Sequence, residues 1–86
     1  MDYQKKMFFE TMYITGRDYG HEIITEQPDI DYIALESEIY NYLMEFESFK
    51  KYSVAVENKS KQAALRVWHV THVLSGNDVF HKTCEE

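Results

Sequence analysis

The chain holds one cysteine, one proline and three glycines among its 86 residues. Cys84 cannot form an internal disulfide, which excludes a stapled secreted scaffold and points to a reducing, cytoplasmic setting. Long apolar runs are missing as well. No window approaches the roughly 20 residues of a membrane span. The start, MDYQKKMFFE, lacks the apolar stretch and small-residue cleavage site of a signal peptide. Catalytic signatures are equally scarce. There is no H-E-x-x-H, no cysteine pair, no G-x-S-x-G and no glycine-rich phosphate loop around Gly16 and Gly20. His69 and His72 stand three apart, as do Asp18 and His21, but a metal site needs a third ligand that neither pair supplies. No metal, cofactor or catalytic residue is therefore expected.

Basic residues are absent from one long stretch. From Asp18 to Phe49 there are nine acids (Asp18, Glu22, Glu26, Asp29, Asp31, Glu36, Glu38, Glu45, Glu47) and no lysine or arginine. From Lys50 to Arg66 the balance reverses: Lys50, Lys51, Lys59, Lys61 and Arg66 against Glu57 alone. The total, −6, disfavours non-specific binding to nucleic acid or to an anionic membrane. The Lys50–Arg66 cluster, with Tyr52 and Trp68 for stacking, is a weaker indication of nucleic-acid binding. The segregation has two readings. The acidic flank can pair with the basic segment within the monomer or across a dimer, or it can face a basic partner and raise the rate and selectivity of association.

What is present is apolar periodicity of the helical kind in a chain of single-domain length. Tyr32, Leu35, Ile39, Tyr42, Phe46 and Phe49 recur at 3, 4, 3, 4, 3, the a/d seam of a helix, which predicts a central helix over 31–51. Pro28 ends what precedes it, and Asp29 or Asp31 is placed to cap the start. A second seam, Ala63, Val67, Val70 and Leu74, predicts a C-terminal helix over 60–75, capped by Asn58 or Ser60 and stopped by Gly76. Residues 52–57 fit a short strand or a continuation of helix. Before the centre, residues 2–15 form a helix with Tyr3, Met7, Phe8, Thr11, Met12 and Thr15 on its face and Gly16 as its stop. The rival is a β-hairpin turning at residues 16–20 and returning over 21–25. Residues 16–29 then serve as a connector, with a short extended piece at Ile23 and Ile24, and the tail offers only Val79 and Phe80 for docking.

On the C-terminal helix, Arg66 and His72 form an R-x5-H pattern. Over these seven residues the chain resembles the R-x4–6-H motif of HEPN-type ribonucleases, small helical bundles in which dimerisation brings two motifs together. The polar residue that often follows that arginine is Val67 here. The resemblance implies phosphodiester cleavage by Arg66 and His72, a cation and an acid–base group. The residues themselves favour a solvated helix face.

The expectation is therefore a mainly α, small helical bundle in a single domain. Seven tyrosines and five phenylalanines exceed what so small a core hides easily, so a homodimer and an exposed aromatic surface are expected. The function that follows is that of an acidic, non-enzymatic interaction or regulatory protein, an adaptor or inhibitor. Glu36, Glu38, Glu45 and Glu47 would contact a protein partner with a basic surface.

Overall fold

A computed structural model describes residues 2–74, and 86% of those are helical, with no strand among them. The order is α1 (Asp2–Glu26), α2 (Tyr32–Leu43), α3 (Glu47–Lys50) and α4 (Ser53–His69), the last running into a π-helical turn at Val70–Leu74. The mainly α bundle is as expected, and α1, α2 and α4 pack on one another. Gly76, Val79, Phe80, His81 and Cys84 lie outside the described residues.

The first helix departs most from expectation. It does not stop at Gly16, and the hairpin and connector over residues 16–25 are replaced by helix. Gly16 and Gly20 lie in its interior and are buried. An added Cβ at Gly16 would sit 3.0 Å from Ile39 Cγ2 and 3.2 Å from Leu43 Cδ1. At Gly20 it would sit 2.9 Å from Ile39 Cδ1 and 3.1 Å from Val67 Cγ2. The missing side chains let α1 approach α2 and α4 closely. That close packing offsets the roughly 1 kcal/mol of helix propensity each glycine gives up relative to alanine. Four residues apart, the two glycines share one face. Met12 and Ile23 continue it, and Ile24 is buried beside it, which corrects the extended piece expected there. The face expected for α1 is also rotated: Tyr3 and Met7 are exposed, and Phe8 and Met12 turn inward. The helix ends just before Pro28, which lacks an N–H and disfavours helix at the residue before it.

Asp31 is the cap of α2. Its Oδ1 accepts a hydrogen bond from Ala34 N at 2.8 Å. Leu35, Ile39 and Leu43 are fully buried. The seam does not continue as one helix to residue 51. The N–H groups of Glu45 and Phe46 bond to carbonyls three residues back, which tightens the last turn, and Phe46 is extended (φ −85°, ψ 124°). The break turns Phe49 into the core against Phe8, at a ring separation of 5.4 Å. An apolar period can thus run through a corner when both sides of the corner are buried.

The fourth helix starts at Ser53, seven residues earlier than the sequence suggests, and Tyr52 precedes it without a side-chain cap. Residues 53–57 are therefore helix, and Ser60 is a core residue rather than a cap. Val56, Ser60, Ala63, Ala64 and Val67 form its buried face. The Ser60 hydroxyl is fully enclosed and finds no hydrogen-bond partner among the described residues.

Many of the aromatic residues meet one another along the chain, although only Phe49 is buried and Tyr3, Phe46 and Tyr52 stay exposed. Tyr19, Tyr42, Phe46, Phe49, Phe8, Phe9 and Tyr52 form a continuous ring network. Most of its contacts are edge-to-face, the arrangement favoured by ring quadrupoles. It joins α1 to the corner between α2 and α4.

Candidate partner-binding site

The extension of α1 to Glu26 places Tyr19 beside α2, where its ring stacks on Tyr42 at 3.8 Å and 9°. The pair is half-buried. Burial first, then the charges of Glu38 and Glu45, and further on those of Tyr42 and Glu22, push the Tyr19 hydroxyl above its usual pKa of 10.0. Three carboxylates are thus near enough for their charge to act on the Tyr19 hydroxyl. Glu22 comes from the last turns of α1, Glu38 from α2, and Glu45 from the turn that follows it.

The other two glutamates in the expected set are elsewhere. Glu36 lies two residues from Glu38, about 200° around the helix. It faces α4, in a surface groove with Ile33, Ser37, Tyr40 and Glu57. The Tyr32 hydroxyl, one turn before it, donates to Lys61 O at 3.4 Å; burial first, then the nearby Glu36 carboxylate, raises that hydroxyl above 10.0. Glu47 begins α3 and lies 3.8 Å from Lys50 Nζ. The charges of Glu38, Glu45 and Glu22 thus all act on Tyr19, whereas Glu36 lies beside Tyr32 and Glu47 beside Lys50.

The basic segment does not neutralise this rim. Among the described residues the ion pairs are Arg17–Asp18, Lys50–Glu47 and Lys61–Glu57, all within four residues in sequence. None of them involves Glu22, Glu36, Glu38 or Glu45. Arg17, the nearest cation in sequence to Tyr19, instead lies 5.8 Å from the centre of the Tyr13 ring.

The remaining sequence motifs are dispersed. Arg66 lines a shallow groove with Gln62, Leu65 and His69. His72 sits on the π-helical turn with its ring 4.7 Å from Trp68. Among the described residues no group of three or more His, Cys, Asp or Glu side chains is arranged to hold a metal ion. No helix among them is long and apolar enough to cross a membrane.

Comparison with protein-family models, with curated proteins and with solved structures gave no match. The sequence reading missed Tyr19 and Tyr42 as parts of a site. The signal was there in outline, because Tyr19 and Ile23 keep the helical period of Met12 and Gly16. Taking Gly16 as a stop hid it.

Proposed function

We propose that the chain is a non-enzymatic interaction or regulatory protein, an adaptor or inhibitor working in the cytoplasm. Its acidic rim binds a protein partner that presents a basic surface. The observation that carries this reading is the cluster of Glu22, Glu38 and Glu45 around the Tyr19–Tyr42 stack, which no cation among the described residues pairs with. Carboxylates beside aromatic faces suit lysine and arginine side chains, which gain charge pairing and ring contact together. Glu36 and Glu47 extend the acidic surface with smaller contributions, since Tyr32 and Lys50 already engage them. A homodimer would present two such rims and bind a repeated partner with avidity.

The test is capture from native lysate, with partners identified by mass spectrometry and the captured protein then titrated. Changing Glu36, Glu38, Glu45 and Glu47 together to Gln is expected to weaken binding by more than about tenfold and to remove most of its salt dependence. Capture that is indifferent to all four changes would end this reading.

A further inference from the structure

The outer face of α4 carries a feature that the acidic rim does not use. Val54, Asn58, Lys61 and Leu65 recur at 4, 3, 4, within a strip about 60° wide. The strip lies opposite the buried Val56, Ser60, Ala63 and Val67. Val54 is 71% exposed and Leu65 58%, so both aliphatic side chains are open to a contact from outside the chain. The spacing is the same from either end. When a second α4 runs antiparallel to the first about a two-fold axis near residues 59–60, Val54 meets Leu65 of the second copy, and Asn58 meets Lys61.

The charges beside the strip follow the same symmetry. Glu57 and Lys61 lie on one edge, 3.8 Å apart within the helix. In the antiparallel pair, Glu57 of each copy lies one residue out of level with Lys61 of the other, on the same edge and within reach of its long side chain, so the strip is self-complementary in charge. Ile33, the most exposed large hydrophobic residue among those described at 78%, and Tyr40 border Glu57 in the adjoining groove and widen the apolar area on that edge.

We infer that α4 is the self-association surface of this chain, forming a two-fold antiparallel pair through Val54, Glu57, Asn58, Lys61 and Leu65. The occupant is a second copy, because a foreign helix would have no reason to match this symmetric order of apolar, polar and charged positions. This relocates the contact. The aromatic residues that first suggested a dimer make ring contacts with one another, with Phe46 and Tyr52 partly exposed. The inference does not depend on the acidic rim, which lies on the opposite edge of α2. One short helix with its neighbouring groove falls below the ~800 Å² per partner of stable interfaces. A weak dimer, with Kd on the order of 10 μM, is therefore expected.

The test uses the whole chain in analytical ultracentrifugation from about 1 to 500 μM, a range that brackets that Kd. The wild type is expected to pass from monomer to dimer, and Leu65→Glu to remain monomeric. Glu57→Lys and Lys61→Glu, each alone, set like charges against each other across the axis and are expected to raise Kd by at least about tenfold. Mixing the two variants restores opposite charges at both contacts, since one copy then carries two lysines and the other two glutamates. The mixture is expected to dimerise where neither variant does alone. All three substitutions are at exposed positions, and circular dichroism verifies that each variant is folded. A wild type that stays monomeric at the top of the range overturns the inference. So does a mixture that stays monomeric while the wild type pairs. Loss of the dimer on Met7→Glu but not on Leu65→Glu would assign it instead to the exposed stripe of Tyr3, Met7 and Ile14 on α1.

Discussion

The two sides of α2 follow different rules. On the inner side, Leu35, Ile39 and Leu43 are fully buried, and a carbon added at either glycine of α1 would press on the side chains of Ile39, Leu43 or Val67. On the rim, Tyr42 and Glu38, with Glu45 just past the helix end, meet Tyr19 and Glu22 in a half-open arrangement rich in like charge. The inner side is fixed by shape and is indifferent to salt. The rim contributes little to stability, and its unneutralised charge is free to act outward. A single helix thus has one side closed by packing and one open to solvent.

Substitutions should separate the two sides in order of size. Ile39→Ala removes the side chain that both glycines touch and is expected to cost about 2–5 kcal/mol, enough to leave so short a chain largely unfolded; urea denaturation followed by circular dichroism measures it. Gly20→Ala should gain about 1 kcal/mol of helix propensity and lose about 1–3 to overpacking against Ile39 and Val67. The net result is a destabilisation of roughly 1 kcal/mol, the opposite of what an exposed helical glycine would give. A stabilised Gly20→Ala protein would show that α1 does not approach α2 and α4 so closely. Ser60→Ala keeps the volume nearly unchanged and removes a buried hydroxyl without a partner among the described residues. It is expected to be neutral or to stabilise by up to about 1 kcal/mol in the same assay.

Two tyrosines, Tyr19 on the rim and Tyr32 away from it, have a signature in alkali. Tyr19 and Tyr32 are held above their usual pKa in the folded chain, so the folded state keeps their protons longer than the unfolded state does. Their contribution is fully present below pH 10 and is lost as pH rises from there through the raised values. Melting temperatures should fall over that window, and the fall should lessen in a Tyr19→Phe, Tyr32→Phe variant. An unchanged slope in that variant would place the alkaline sensitivity elsewhere.

How far the sequence foretold this depends on what each residue's role requires. The period of Tyr32, Leu35 and Ile39 and the cap at Asp31 depend on neighbours within one or two turns, so both were legible. Gly16 and Gly20 were not, because a glycine that stops a helix and one that admits a crossing helix look alike until Ile39, more than fifteen residues later, is placed against them. The corner at residues 44–46 contains neither glycine nor proline, and only the burial of Phe49 against Phe8 reveals it. The acidic run was visible as composition, but its division was not: Glu38 and Glu45 join Glu22, Glu36 faces α4, and Glu47 pairs with Lys50. That division is a property of helix phase and chain path, which a count of charges does not contain.

The smallest expected effect on stability accompanies the largest expected effect on binding, and it tests the central claim most directly. A Glu38→Gln, Glu45→Gln chain should unfold within about 0.5 kcal/mol of the wild type. The decisive measurement is titration of the captured partner against this variant and against a Glu36→Gln, Glu47→Gln control. The first pair is expected to weaken binding by more than about tenfold and the control by less than about threefold. Equal losses in the two pairs, or none in the first, would contradict a binding rim centred on the Tyr19–Tyr42 stack.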